Sequence, residues 1–147
     1  CERNYLMTAK PESKLWKKLK QNTAHTGVIW TRLESWALPG VPDLHGIVDG
    51  HAFWVELKVH RLKSFKFVQL RPHQIAWQTQ YVSQKGNVWN LVEQPSAGSL
   101  NLFHGKRALI IGESSVDNEP LTPDYMTTAP YDWSGIINHV ISFPLGH

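Results

Sequence analysis

The sequence predicts a mixed α/β (α+β) fold, a central mixed β-sheet with helices on its faces, in the order αβββαβ and followed by a C-terminal extension. Three observations carry this. Residues 8–21 repeat apolar positions at helical spacing. Residues 28–33 and 52–59 alternate with period two, the second stretch beside an Asp-Gly pair. A helix opened by Pro72 then leads into a further apolar strand at 87–92.

The first helix is expected over Thr8 to Gln21, with Pro11 acceptable in its first turn. Glu12, Leu15, Trp16 and Leu19 follow the spacing of a buried stripe, while Lys10, Lys14, Lys17 and Lys18 fall on the other side. Glu12 is therefore an inward-facing acid, whose plainest role is to complement the helix dipole at a few tenths of a kcal/mol. After a turn at Asn22 to Gly27, Val28 to Leu33 reads as a strand with Val28, Trp30 and Arg32 on one face. Arg32 is suited to hold a phosphate with two parallel bonds, or to pair with Glu34 beside it; Ser35 and Trp36, in the following loop, are candidate substrate contacts.

The stretch GVPDLHGIVDGHAFWVELK, Gly40 to Lys58, organises the rest. Its Asp49-Gly50 pair is a strong hairpin signal, because a type I′ turn needs positive φ at both central residues. Closing the hairpin there makes Asp43 and Glu56 cross-strand neighbours, each six residues from the turn. Along the second strand Phe53, Val55, Leu57 and Val59 share one face and Ala52, Trp54, Glu56 and Lys58 the other. Two carboxylates and an ammonium converge, which is costly unless the acids have a partner; hard oxygen ligands favour Mg²⁺, with Mn²⁺ as a substitute. The plain alternative is a wet edge strand, weakened by Trp54 on the same face.

Downstream, His60 to Leu70 interleaves Arg61, Lys63 and Lys66 with Phe65 and Phe67, a pattern suited to a flexible loop or ribbon along a phosphate backbone. The second helix runs from Pro72 to a C′ residue at Gly86, with Gln74, Trp77, Gln78 and Tyr81 on one face. Asn87 to Val92 is a strand, and Leu100 to Phe103 with Ala108 to Ile111 reads as a final hairpin around His104-Gly105. Two units follow, a domain over 8–112 and an acidic Pro/Thr-rich extension over 113–147. The extension packs back through Tyr131, Trp133, Ile136, Ile137 and Val140 or serves a dimer contact.

At 147 residues and 41% apolar content, with seven Trp, the chain can bury one core. No apolar run approaches the roughly 20 residues of a membrane span. Cys1 is the single cysteine, which excludes an internal disulfide and a thiolate zinc cluster and fits an intracellular, reducing setting. The polar Cys1 to Lys10 stretch carries no secretory pattern, and Met7 is a candidate start. Residues 1–92 hold 13 Lys/Arg against 6 Asp/Glu and residues 93–147 hold 2 against 6, a split of +7 and −4 that puts the basic half around the paired acids. A polyanion is the simple inference, with Arg32, Ser35, Arg61, Lys63, Lys66, Arg71, Lys14 and Lys17 as candidate DNA contacts, although basic stretches are often only solvated. The histidines lack zinc spacing, and there is no Walker loop, dinucleotide fingerprint or Gly-x-Ser-x-Gly elbow.

Pro42-Asp43 followed by Glu56-x-Lys58 resembles the signature of the PD-(D/E)xK nuclease superfamily. The longer string GVPDL, FWVELK and RPHQIAW is similar to its VRR nuclease and phage-archaeal Holliday junction resolvase branches over roughly residues 12 to 92. The resemblance implies a restriction-endonuclease-like core and a metal site of Asp43, Glu56, the Leu57 carbonyl and Glu12. It makes Lys58 and Gln74 catalytic partners, puts Arg32 near the acids and leaves Gln78 at a position where some branches carry Tyr or His. It further implies a Mg²⁺-dependent endonuclease, a homodimer because two symmetric strands must be cut, acting on four-way or other branched DNA in a prokaryotic or phage-infected cell. The alternatives left open are the same centre with restriction, homing or repair specificity, and a non-catalytic DNA-binding module.

Overall fold

The computed structural model describes residues 11–33, 38–113 and 119–143. Six strands form one sheet in chain order: β1 (Ile29–Arg32), β2 (Leu44–Val48), β3 (His51–Val59), β4 (Val88–Gln94), β5 (Ser99–His104) and β6 (Tyr125–Thr128). All neighbours are antiparallel except β3 and β4, which run parallel. The parallel pair needs a crossover, and α2 (Pro72–Ser83) supplies it. The remaining helices are α1 (Pro11–Thr23), α3 (Ala108–Gly112) and α4 (Trp133–Ser142). The expected mixed sheet with flanking helices is thus present.

Each sheet face has its own cover. Leu15 and Leu19 of α1 and Ile136, Ile137 and Val140 of α4 pack on Phe53, Val55, Leu57, Leu91 and Leu102. On the opposite face Phe65, Val68, Leu70, Ala108 and Ile111 close over Val92 and Phe103. α2 covers the same side further along, docking on Trp54, Glu56 and Asn90.

Local chemistry explains the boundaries. Asp49 and Gly50 have φ of 51° and 78°, the double positive turn that the Asp-Gly pair predicts. At the end of α2 the left-handed position falls on Lys85 (φ 68°) rather than on Gly86, which follows it. The Gly86 N–H bonds the Tyr81 carbonyl and the Lys85 N–H that of Val82, so Gly86 is one position later than expected. It is still required, because a Cβ there would stand 2.2 Å from the Tyr81 ring.

The final hairpin differs from expectation. β5 pairs with β4 through a turn at Pro95–Ala97, and Ala108–Gly112 is helical. Ala108 and Ile111 are fully buried while Leu109 and Ile110 are 55% and 69% exposed, the three-residue spacing of a helix rather than the alternation of a strand. The acidic C-terminal stretch adds β6 to the sheet and α4 to the main core. Among the described residues no helix is long and apolar enough to cross a membrane.

Candidate active site

The site arises from a mismatch in strand length. β2 pairs with β3 from Val48↔His51 to Leu44↔Val55, and there it stops. β3 continues to Val59, so the N–H groups of Leu57 and Val59 face an edge with no strand beside it. Two carboxylates take them: Asp43 Oδ2 accepts from Leu57 N–H at 2.9 Å and Glu12 Oε2 from Val59 N–H at 3.2 Å. In an extended strand a residue's N–H and C=O point to the same side, so the Leu57 carbonyl opens on this edge as well.

The backbone delivers Asp43 to that place. Leu33 N–H bonds the Asp43 carbonyl at 2.8 Å, extending the β1–β2 ladder by one step. Gly40, at φ 88°, lets the chain pass close against α2; a Cβ there would stand 2.5 Å from the His73 carbonyl oxygen. Pro42 is buried beside it. The role of Gly40 was not drawn from the sequence, although a Gly three residues before the acid is its visible mark.

On the α2 face of β3, Glu56 is 3% exposed. Its Oε2 accepts from Gln74 Nε2 at 3.0 Å and lies 3.5 Å from Lys58 Nζ. Gln74 Oε1 in turn accepts from Lys58 Nζ at 3.3 Å and from Arg71 N–H at 2.9 Å. Every polar end of the Gln74 amide is thus used, and the partners dictate which end is oxygen. Gln78, one turn on, exchanges two 2.8 Å bonds with Asn90 in the core, away from the acids.

Burial raises the pKa of Asp43, against the lowering effects of the Leu57 N–H and the Lys58 and Arg32 charges. Burial, and then the neighbouring Asp43 charge, push Glu56 up to about 8. Burial and each other's charge disfavour the ionised form of these two carboxyls, and a cation between them would favour it. This donor set, with the Leu57 carbonyl, fits a hard divalent ion of the Mg²⁺ kind, which commonly takes only one or two protein carboxylates. Among the described residues no three His, Cys, Asp or Glu side chains gather as a metal-binding set. Glu12 accepts from the Val59 N–H, which lies one strand repeat, about 6.6 Å by strand geometry, beyond the Leu57 N–H that Asp43 takes.

The expected DNA contacts separate into groups. Arg32 is exposed, its charge felt at Asp43 and its Nη2 3.4 Å from Ser13 Oγ. Arg61 and Arg71 line a cavity of about 410 Å³ next to Lys58. Lys63 and Lys66 instead border a largely apolar cavity of about 530 Å³ near β6. Lys14 and Lys17 are exposed on α1, whereas Lys18, expected on the same basic side, is held 2.6 Å from the buried Glu93. Ser35, Glu34 and Trp36 lie outside the described residues. The segment after β3 is no free ribbon, since Phe65, Val68 and Leu70 are buried. The sequence reading also missed that Trp54, Trp77 and Tyr81 form one cluster beside the acids, with Trp77 and Tyr81 stacked at 4.6 Å.

No family model and no curated protein matches the chain. Among solved structures it is similar to a VRR_NUC domain, at 24% identity and TM-score 0.47, over 58% of this chain and 87% of that one. It is also similar to Hjc of Archaeoglobus fulgidus, a Holliday junction resolvase from an archaeal hyperthermophile, at 13% identity and TM-score 0.49, over 64% of this chain and 77% of that one.

Proposed function

We propose that the protein is a Mg²⁺-dependent DNA endonuclease that hydrolyses phosphodiester bonds in branched DNA, four-way junctions foremost, working as a homodimer inside a prokaryotic or phage-infected cell. The observation that carries this is the meeting of Asp43, Glu56 and Lys58 at the unpaired end of β3. Asp43, Glu56 and the Leu57 carbonyl would hold the ion, which when bound supplies an acidified water and charge stabilisation at the scissile phosphate.

The chain's own residues do the rest. Lys58, between Glu56 and Gln74, is a fixed cation that offsets charge growing on the phosphate. Gln74 keeps both Glu56 and Lys58 in place through its capping bond to α2. Glu12 closes the next free N–H of the same edge, which makes it a positioning residue. Arg32, Arg61 and Arg71 neutralise neighbouring phosphates.

The deciding experiment incubates the protein with Mg²⁺ and synthetic four-way junction, flap and linear duplex DNA. Paired, symmetric nicks in the junction are expected. Cuts confined to flap or linear DNA would move the reading to another specificity of the same centre, and binding without cuts would reduce it to a DNA-binding module.

A further inference from the structure

The cavity next to Lys58 shares Lys58, Arg61 and Arg71 with the proposed centre, yet no step above places anything in its interior. Its walls combine Lys58, Arg61 and Arg71, and one acid, Glu12, with Phe67 and the apolar Leu62 around about 410 Å³. That is the size of a small-ligand site, at the lower end of the range of about 300–1,000 Å³. It has room for one nucleotide.

The cavity is preformed. The segment that walls it is anchored where it leaves β3, by the His60 N–H on the Glu93 carbonyl at 2.8 Å. The buried Gln94 then holds the Leu62 and Lys63 carbonyls at 3.2 and 2.9 Å, and Val68 N–H bonds the Ile111 carbonyl at 2.7 Å. Phe67 is half-buried, its ring 6.0 Å from that of His60, which is itself tied to the Ser64 carbonyl. Phe67, Arg61 and Arg71 thus line a cavity beside the proposed cleavage centre on a segment whose backbone is already anchored.

We propose that this cavity is a subsite for one unpaired nucleotide of the DNA strand, its base against Phe67 and its phosphate against Arg61 and Arg71. The inference rests on the nuclease reading only in taking DNA as the substrate. A base reaches such a pocket only after leaving its stack, and that costs least where it is already unpaired. The pocket therefore selects DNA carrying extrahelical or branch-point nucleotides, and it does so beside Lys58, where the adjoining phosphate would be cut.

The test measures fluorescence anisotropy in EDTA for two labelled duplexes, one fully paired and one with a single extrahelical thymine. Wild type should bind the second roughly ten-fold more tightly, within the range of base–aromatic stacking. Phe67→Ala should erase that preference. Gln69→Trp, a change at an exposed residue of the cavity wall, should erase it by filling the space, and so covers the event that Phe67→Ala does not fold. Equal affinities in wild type, or a preference that survives in folded Gln69→Trp and Phe67→Ala, overturns the subsite. Cleavage in Mg²⁺ is scored separately: cutting without the preference overturns the subsite and spares the nuclease, while preference without cutting overturns the nuclease and supports the subsite.

Discussion

The two faces of β3 are built on opposite principles. Phe53, Val55 and Leu57 are 1–3% exposed and pack into the main apolar cluster, so that face is held by area removed from water. Trp54, Glu56 and Lys58 alternate with them and meet the amide of Gln74 and the rings of α2, so the other face is held by a polar network around an acid that resists ionising. One face stabilises the protein. The other stores an electrostatic need that a cation would satisfy, and stability and chemistry are thereby separated across a single strand.

The comparison is broken most severely by truncating the apolar face. Phe53→Ala should cost about 3–5 kcal/mol in chemical denaturation, because the ring fills a site against Trp30 and the helices. Glu56→Gln should be neutral or stabilising in the same assay, since it removes a desolvated acid. If both variants lose stability equally, the polar face is structural and the contrast fails.

Cleavage should rank them the other way. Asp43→Asn and Glu56→Gln are each expected to lower the cleavage rate by at least about 10²–10³-fold, the scale of losing one electrostatic contributor in a preorganised site. DNA affinity should hold or rise, because repulsion of phosphate is relieved. Retained cleavage by Asp43→Asn would end the nuclease reading.

Acidity sharpens the contrast further. Glu56 is raised to about 8 from a free value of 4.5, so between those values the folded protein binds more protons than the unfolded chain and loses stability as pH rises. His104 works in the opposite sense: burial lowers it to about 4, so its contribution is lost as pH falls from about 6.5 toward 4. Thermal melts of wild type and Glu56→Gln in EDTA should therefore diverge from pH 4.5 to 8, the variant melting progressively higher, with the His104 effect cancelling between them. Adding Mg²⁺ at pH 8 should narrow the gap.

The smallest effect concerns the brace. Gln74→Ala should cost about 1–3 kcal/mol through the buried Glu56 left without its donor. It should also slow cleavage with little change in substrate affinity, the mark of a positioning residue. A loss of affinity alone would place Gln74 at the DNA surface instead.

Much of this was legible in the chain. The hairpin register, with Asp43 opposite Glu56, follows from counting outward from Asp49-Gly50, and the structure continues that register to the step where β2 ends. The face assignment of β3 follows from period-two alternation. What stayed hidden depended on partners far apart in sequence. Ala108 to Ile111 reads equally as a short strand or a helical turn until one sees that only its first and last residues are buried. Glu12 is inward-facing as its spacing predicts, yet the N–H it meets is 47 residues away, and no local pattern tells one strand repeat from the next. Lys18 looked like one more solvated lysine because Glu93, 75 residues on, carries no local sign of facing it.

By itself, then, the sequence determined the turn, the alternation and hence the meeting of two acids and a lysine, because backbone dihedrals and side-chain periodicity act over a few residues. The tertiary structure alone decided that β2 stops short and leaves N–H groups for carboxylates to cap, and that the Gln74 amide bridges Glu56 and Lys58 while Gln78 turns to Asn90. It also decided that β6 and α4 complete the core. Those outcomes depend on where separate elements dock, and docking is settled by the burial of whole surfaces rather than by the preference of any one segment.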